Sequence, residues 1–286
     1  MSVKQRTLKS EFSLNGKGLH TGKHVTATFK PAEENFGYRI RRMDLEGTPE
    51  IPALAEYVKL MDRASCLEKD GVCVFTMEHA MAALYGCGID NCLIELSGEE
   101  FPILDGSAKY YVEEIEKVGL EEQNAERRYF TVKEQMEFCS EDGLTKITLL
   151  PDSEYNVNLV VAYDSPYLQM QYATYSDKTT DFAKEIAPCR TFVFLREVEM
   201  LLQHNLIKGG DLENAIVIVD REILQKEADR LAKLFNYDSI EIKQGILNNL
   251  TLYFDNEPAR HKLLDIIGDL ALCGRFIKGR VIAARP

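Results

Sequence analysis

The sequence predicts an α+β fold built from two similar halves. In each half, alternating apolar and polar residues that predict β-strands come first, and apolar residues at helical spacing follow. A polar, charged stretch, EEQNAERR at 121–128, separates the halves, so we predict an N-terminal domain of residues 1–124 and a C-terminal domain of residues 125–286. No residue-level repeat is visible, but the shared order of elements favours two similar layers packed together.

The first half predicts strands, a helix, a strand and a second helix. Strands are expected through residues 5–42, where glycines and asparagines mark the turns. The segment MEHAMAALYGCG predicts a helix that ends at Gly86 or Gly88, and NCLIEL predicts the strand that follows it. A second helix is expected in DGSAKYYVEEIEKVGL, with Asp105 or Ser107 as its N-cap.

The second half begins again with strands and closes with a long helix. The strands are expected in YFTVKEQMEFCS, TKITLLP and YNVNLVVAYD, and PARHKLLDIIGDLALCG predicts a helix that ends at Gly274. Between them, TFVFLREVEMLLQHNLIKGGDLENAIVIVD predicts a helix, a turn at Gly209 and Gly210, and a strand. The dense apolar residues of this segment are typical of an ordinary core element. The alternative is a lining for an acyl chain.

Composition narrows the class of protein. Hydrophobic residues make up 45% of the 286 residues, enough for a sizeable core, and the net charge of −12 argues against a nucleic-acid-binding protein. The seven cysteines include no CxxC pair, which is typical of reduced thiols. The N-terminus lacks the apolar core of a signal peptide, and no apolar run is long enough to span a membrane. We therefore expect a cytoplasmic protein with no membrane span.

The long helix of the second half predicts two metal ligands. His261 and Asp265 are four residues apart, so they lie on one helix face, and Asp269 continues that face. Apolar residues cover the other sides, so the helix is expected to be buried, where an unpaired carboxylate is costly. A metal ion would satisfy these side chains. Histidine nitrogen and carboxylate oxygen suit zinc, which in catalytic sites takes three protein ligands and a water.

His79 is the natural third ligand, because it begins an apolar helix in the other half. Neighbouring helical side chains point about 100° apart, so Glu78 need not bind the metal and can act as general base on a water, as in H-E-x-x-H sites. Each motif alone is also compatible with a structural or surface pair. His20 and His24 flank a glycine-rich turn and are expected to be turn or surface residues and not ligands. For His204 both interpretations stay open.

Six segments spread along essentially the whole chain share an order that is specific to one family. They are GKGLHTG at 16–22, TMEHAMAALYGCGIDN at 76–91, FPILDGSA at 101–108, APCRTFVF at 187–194, KGGDLENAIV at 208–217 and ARHKLLDIIGDLALCG at 259–274. In this order they resemble the UDP-3-O-acyl-N-acetylglucosamine deacetylases, the zinc enzymes of lipid A synthesis in Gram-negative bacteria. None of the segments would be specific by itself.

The resemblance implies a fold and a reaction. The fold is a β-α-α-β sandwich of two similar domains, each a sheet layered with helices and each carrying one insert, with the active site between them. The reaction is zinc-dependent hydrolysis of the N-acetyl group of UDP-3-O-(3-hydroxyacyl)-N-acetylglucosamine, which releases acetate. This is the committed step of lipid A, and hence lipopolysaccharide, biosynthesis. The implied partner is the small nucleotide-lipid substrate, and we expect a monomer.

The resemblance also implies a role for individual residues. The zinc ligands would be His79, His261 and Asp265, with Glu78 as general base. Thr191 would donate a hydrogen bond to the oxyanion of the tetrahedral intermediate, where such stabilisation contributes most. The substrate contacts would be Lys262 at the polar head, Phe192 at the sugar, and Leu202, Ile207 and Gly210 in an insert around 195–220 that holds the acyl chain.

The sequence departs from the family pattern after its last strand. Family members continue with a Gly-His step, whose histidine acts as general acid or electrostatic stabiliser and is oriented by an aspartate in the position of Asp269. None of the five histidines here follows His261. We therefore expect either zinc binding with catalysis weakened by about 10²–10⁴-fold, in a protein that binds the nucleotide lipid, or one part of a longer protein fused to an acyl-carrier-protein dehydratase. Iron(II) also suits a site of two histidines and an aspartate.

Overall fold

The structure is a computed structural model of the 286-residue chain. It describes residues 3–286 apart from 62–63, 164, 166–167, 169, 204–207, 212, 222, 235–237, 244 and 248–249. Within these described residues, no helix combines the length and the apolar character needed to cross a membrane.

The first half contains ten strands and two α-helices among the described residues. They are β1 (Lys4–Leu8), β2 (Phe12–Lys17), β3 (His24–Pro31), β4 (Tyr38–Arg42), β5 (Glu50–Pro52), β6 (Val58–Met61), β7 (Ala64–Lys69), β8 (Val72–Phe75), α1 (Glu78–Gly86), β9 (Cys92–Leu96), α2 (Lys109–Val118) and β10 (Leu120–Glu126). The buried residues of β3 alternate with half-buried or exposed ones, which is the period of two that predicted the strands.

The second half repeats this mixture over residues 129–284. Its elements are β11 (Tyr129–Thr131), β12 (Met136–Cys139), β13 (Lys146–Leu150), β14 (Tyr155–Val161), β15 (Gln171–Ser176), α3 (Phe182–Glu185), β16 (Phe192–Phe194), α4 (Leu195–Gln203), β17 (Ile216–Ile218), α5 (Gln225–Leu234), β18 (Ile242–Lys243), β19 (Ile246–Leu247), α6 (Glu257–Ala271) and β20 (Phe276–Ala284). The predicted mixture of helices and sheets is confirmed.

The two largest sheets have the same topology. One has the strand order β2-β3-β9-β4-β5 and the other has the order β12-β13-β20-β14-β15, with β11 as a sixth strand that pairs in parallel with β20. In both, the fourth strand of each order runs parallel to the central strand, and the second runs antiparallel to it. A helix immediately precedes each central strand along the chain: α1 before β9, and α6 before β20. The similarity of the halves therefore lies in topology, although no repeat is visible in the residues.

Three smaller sheets are built from the other nine strands of the described residues. Strands β6, β7 and β8 form one, and β16, β17, β19 and β18 form another within the segment that separates α3 from α6. The third pairs β1 with β10, so the polar stretch in which we place the domain boundary is a strand that joins the two ends of the first half. The boundary itself stays a prediction.

The predicted glycines lie close to the C-terminal ends of the helices, whereas the predicted N-cap of α2 is wrong. Gly88 and Gly274 adopt the left-handed conformation, with φ values of 71° and 69°, shortly after α1 and α6 end. The N-cap of α2 is Ala108, which corrects the predicted Asp105 or Ser107. The Ser107 hydroxyl still accepts a hydrogen bond from the Lys109 N–H at 3.1 Å, so the side chain satisfies a free donor of the first turn from one position further out.

Helices α1 and α6 pack directly against each other and join the two halves. Residues 79–85 of α1 are all buried, as expected for a helix that is apolar on every side. Gly268 of α6 lies against the main chain of Glu78, and a Cβ at position 268 would overlap the Glu78 carbonyl oxygen. One apolar core contains both helices and both large sheets. The glycine therefore sets how closely the two halves approach at the start of α1.

We predict that Gly268→Ala lowers the free energy of unfolding. In an unobstructed helix this change stabilises by about 1 kcal/mol, but here the new methyl group must displace a backbone carbonyl, and overpacking costs about 1–3 kcal/mol or more. Urea unfolding monitored by circular dichroism measures the change. Gly98→Ala is the control, because its Cβ would meet Val25 at an ordinary 3.4 Å. A Gly268→Ala protein as stable as the wild type would contradict the packing described here.

Candidate active site

Three side chains from the two halves converge where α1 meets α6. The Asp265 Oδ1 atom lies 3.8 Å from the Nε2 atom of His79 and 3.4 Å from that of His261. The three potential ligand atoms all lie within 4.8 Å of one another. Donor atoms about 2.1 Å from one tetrahedral zinc ion are about 3.4 Å apart. The spacing therefore suits a single cation held by two imidazoles and a carboxylate.

The hydrogen bonds around this cluster leave the metal-facing atoms free. The His261 Nδ1 atom is 3.0 Å from the Cys189 carbonyl oxygen, so Nδ1–H donates to it and Nε2 keeps its lone pair for a metal. Lys262 donates to Asp265 Oδ2 at 3.1 Å, whereas Asp265 Oδ1 is buried with no hydrogen-bond partner among the described residues. A buried carboxylate oxygen without a partner is costly, and a cation would satisfy it.

The pKa values of the three residues also favour ligation. Burial lowers the pKa of His261 to about 4 and lowers that of His79, so both imidazoles are neutral near pH 7. Burial alone would raise the pKa of Asp265, but two positive charges outweigh it and lower this pKa to about 2: that of Lys262, and that of His261, which is protonated in the acid range where Asp265 titrates. Neutral imidazole and ionised carboxylate are the forms that bind a metal.

Glu78 is the first residue of α1 and its carboxyl group faces the same cluster. Burial and, next in size, the negative charge of Asp265 together raise its pKa to about 7. A carboxyl group poised near neutral pH can accept and return a proton. Asp269 lies one helical turn beyond Asp265, at the open side of the cluster. Its pKa is also raised to about 7, by lost hydration and then by the charges of Asp265 and Glu78.

The main chain fixes the position of Thr191. Its N–H donates to the Gly106 carbonyl at 2.8 Å, and its own carbonyl accepts from the Ile216 N–H at 2.8 Å. Two residues earlier, Cys189 provides the carbonyl that orients His261. A Cβ on Gly106 would overlap the Asn214 carbonyl, so this residue must be glycine for the loop of the first half to dock here. The predicted oxyanion donor thus lies on a segment tied to both halves.

A buried ion pair between Arg190 and Glu257 was not predicted from the sequence. Glu257 is 0% exposed, and its Oε1 atom accepts from both the backbone N–H and the side-chain Nε of Arg190, at 3.0 and 2.9 Å. Its other oxygen accepts from the Tyr253 N–H at 2.7 Å. The pair clamps the residue next to Thr191 to the first turn of α6. A glutamate immediately before the proline in the first turn of that helix was the available signal.

Glu100 is a second buried carboxylate that sequence reasoning missed. It is 2% exposed and accepts hydrogen bonds from the backbone N–H groups of His20 and Thr21, both at 2.9 Å. The hydroxyls of Thr21 and Thr76 donate to it as well, at 2.8 and 2.9 Å. Thr76 has a φ of 56° and lies two residues before Glu78. Glu100 therefore fixes the glycine-rich loop 18–22 against the start of α1, and with it His20, predicted as a turn residue.

The predicted substrate contacts lie on the second half, where the structure describes only some of them. Lys262 lies with its Nζ atom 6.0 Å from the centre of the Phe192 ring, next to the cluster. Gly210 is half-buried and follows Gly209, whose N–H donates to the Leu19 carbonyl at 3.0 Å. Ile207 lies outside the described residues. Leu202 belongs to α4, but its side chain lies outside the described part of the chain.

The sequence matches the family model described as UDP-3-O-acyl N-acetylglycosamine deacetylase over residues 5–235 and 238–286. It is similar to a UDP-3-O-acyl-N-acetylglucosamine deacetylase of Marinobacter nauticus, with 38% identity over 279 residues that cover 97% of this chain and 84% of the relative. A deacetylase of the same name from Myxococcus xanthus is 39% identical over 99% of this chain and 82% of the relative.

The chain has greater sequence identity with relatives that are named as bifunctional enzymes. The bifunctional enzyme LpxC/FabZ of Bacteroides thetaiotaomicron is 53% identical over 285 residues, which cover 99% of this chain and 62% of the relative. That of Porphyromonas gingivalis is 51% identical over 99% of this chain and 61% of the relative. The chain thus spans less than two thirds of the length of these bifunctional relatives. Because the family model matches nearly all of the sequence, the chain belongs to the UDP-3-O-acyl N-acetylglycosamine deacetylase family.

Proposed function

We propose that the protein hydrolyses the N-acetyl group of UDP-3-O-(3-hydroxyacyl)-N-acetylglucosamine and releases acetate. Membership of the family supports the reaction class. The observation that carries the proposal is the convergence of His79, His261 and Asp265 beside Glu78, with the Asp265 Oδ1 atom buried and free of a hydrogen-bond partner among the described residues. An amide is a stable bond, and its hydrolysis near neutral pH calls for a polarised carbonyl, a general base and a group that stabilises the oxyanion.

Zinc is the cofactor that we propose, held by His79, His261 and Asp265. Two imidazole nitrogens and one carboxylate oxygen form a ligand set used by catalytic zinc, with the remaining position open. When bound, zinc supplies Lewis-acid polarisation of a carbonyl oxygen and lowers the pKa of a coordinated water. The absence of thiol ligands from this cluster, within the described residues, also suits a catalytic rather than a structural zinc site.

The chain's own residues provide the remaining chemistry. Glu78 removes a proton from the attacking water and can return it to the departing amine, because its pKa lies near 7. Thr191 donates a hydrogen bond to the oxyanion, from a backbone position that Gly106 and Ile216 fix. Lys262, whose positive charge Asp265 stabilises, attracts the polar head of an anionic nucleotide sugar. Asp269 stays at the open side, where it would orient a further acid–base group.

The segment from Phe192 to Ile218 supports the proposed site for the acyl chain. Leu168, Phe194, Ile216 and Ile218 form an apolar cluster, and Phe192 packs at its edge. This cluster is separate from the main core, so it is not needed to join the large sheets. We propose that the acyl chain lies along this segment, with Phe192 against the sugar and with Leu202, Ile207 and Gly210 along the passage.

We propose the domain arrangement, the location and the oligomeric state together with the function. The matching sheet orders support two domains, 1–124 and 125–286, layered as sheet, helices, helices and sheet. We propose that the protein acts in the cytoplasm as a monomer, on a nucleotide-lipid substrate and without nucleic acid.

Metal analysis provides the first test of the proposed centre. We expect one zinc ion per chain after purification and dialysis. His79→Ala and Asp265→Ala are each expected to weaken zinc binding by more than the ten- to hundredfold typical of groups that only support a ligand. Glu78→Ala should leave the zinc content unchanged, because Glu78 is not a ligand. The control is His24→Ala, an exposed histidine on β3. Stoichiometric zinc in His79→Ala would rule out the proposed ligand set.

Acetate release from UDP-3-O-(3-hydroxyacyl)-N-acetylglucosamine provides the second test. We expect the zinc-loaded chain to release acetate and Glu78→Gln to be slower by about 10²–10⁴-fold, the usual contribution of a general base. Glu141→Gln, at an exposed turn, should retain wild-type turnover. The proposal fails if the zinc-loaded chain releases no acetate, or if Glu78→Gln turns over as fast as the wild type.

The pH dependence of kcat/KM tests the role of Glu78 separately. A general base must be deprotonated, so the rate should rise with pH through its pKa and level off above it. That pKa is about 7 without a metal, and the positive charge of a bound cation lowers it, so the acid limb should fall below pH 7. The limb should disappear from the residual activity of Glu78→Gln. An identical acid limb in this variant would assign the ionisation to another group.

A further inference from the structure

A cavity lies at the end of the helix pair that is remote from the candidate active site. Its volume is about 230 Å³, and it opens where α1 and α6 end. Both halves line it. The first half contributes Gln5, Asn35 and Tyr38, and the second contributes Arg128, Arg275 and Phe276. None of the residues that we assign to the deacetylase site lines this cavity.

Asp90 lines the cavity, and both of its carboxylate oxygens already accept hydrogen bonds. Its Oδ1 atom accepts from Arg127 Nε at 2.9 Å. Its Oδ2 atom accepts from Arg127 Nη2 at 2.6 Å and from the Arg6 N–H at 2.8 Å. A bidentate guanidinium and a backbone amide thus occupy both oxygens. The carboxylate therefore offers little negative charge to a further cation.

The groups left available in the cavity are hydrogen-bond donors. Arg128 and Arg275 are exposed at the rim, and neither has an ion-pair partner in the described part of the chain. The Asn35 side chain accepts from Gln5 through its oxygen, while its amide nitrogen donates to no group that the structure describes. A cavity with two free guanidinium groups, a free amide donor and a satisfied carboxylate is complementary to a negative ligand.

The arginines around the cavity also favour a negative ligand. Arg6 and Arg127 both donate to the Gly88 carbonyl, just past the end of α1, at 3.0 and 2.6 Å. The pKa of Arg6 is lowered, first by burial and then by the positive charge of Arg127. Four arginines, Arg6, Arg127, Arg128 and Arg275, therefore gather around one end of the helix pair, where Asp90 and Glu122 are the carboxylates that interact with Arg6. The arginines outnumber these carboxylates in a chain whose net charge is −12. A local positive potential in an acidic protein concentrates anions there.

We propose that this cavity binds a small anion that carries a phosphate or carboxylate group, held by Arg128 and Arg275 with a hydrogen bond from the Asn35 amide. Guanidinium groups bind both kinds of oxyanion in a bidentate manner, so the shared chemistry is an oxyanion of this size. Asn35 belongs to the first half and both arginines belong to the second, so the bound anion bridges the halves and stabilises them. The proposal does not depend on the deacetylase activity.

Isothermal titration of the intact 286-residue chain, at constant ionic strength, tests the site with two probes. Inorganic phosphate represents the phosphate class, and succinate represents the carboxylate class. We expect saturable binding of one anion per cavity for at least one probe, and the probe that binds assigns the class. The double variant Arg128→Gln/Arg275→Gln should raise Kd by at least about tenfold, because it removes both charge-assisted guanidinium contacts to the anion.

Two controls separate this site from general charge and from the metal centre. Lys226→Gln/Lys233→Gln removes two exposed positive charges from α5, none of whose residues lines the cavity, and should change Kd by less than about twofold, because exposed charges are screened by salt. His79→Ala should bind the probe as the wild type does. The proposal is wrong if neither probe binds saturably, if the arginine variant binds as tightly as the wild type, or if only His79→Ala loses binding.

Discussion

The contact between the α1 and α6 main chains is the constraint on which the candidate site depends. The ligands come from different halves of the chain: His79 follows the first residue of α1, and His261 and Asp265 lie on α6. Their donor atoms can approach to within 4.8 Å only because Gly268 lets α6 reach the Glu78 carbonyl without an intervening side chain. A residue with no functional group of its own therefore determines whether the functional groups meet.

The charges of the cluster favour metal binding at a cost to the stability of the folded protein. Burying Asp265 with one oxygen lacking a hydrogen-bond partner among the described residues costs free energy that a purely structural site would avoid. The neighbouring groups keep that carboxylate ionised, while burial keeps both histidines neutral and holds Glu78 near its titration range. Elsewhere in the site, the buried carboxylates Glu100 and Glu257 are fully hydrogen-bonded and position main-chain segments. Buried carboxylates thus have two distinct roles within one site.

Spacing within each helix could be predicted from the sequence, whereas contacts between residues far apart in the chain could not. Four-residue spacing placed His261 and Asp265 on one helix face, and the adjacent Glu78 and His79 followed from the start of an apolar helix. His79 was proposed as the third ligand because it begins an apolar helix in the other half, and the resemblance implied the same set. No periodicity encodes which buried faces meet. The Arg190–Glu257 and Glu100 interactions were missed for the same reason, since their partners lie 67 and up to 80 residues apart. The N-cap of α2 was misplaced by at least one residue, which is the usual uncertainty at a helix end.

X-ray absorption at the zinc edge tests most directly the central claim, that one metal ion joins the two halves. The account predicts only nitrogen and oxygen neighbours at about 2.0–2.2 Å, with outer-shell scattering from two imidazoles in the wild type and from one imidazole in whatever fraction of His79→Ala retains zinc. Sulfur at about 2.3 Å, or two imidazoles that persist in His79→Ala, would contradict it. Either result would place the metal at ligands other than those that α1 and α6 bring together.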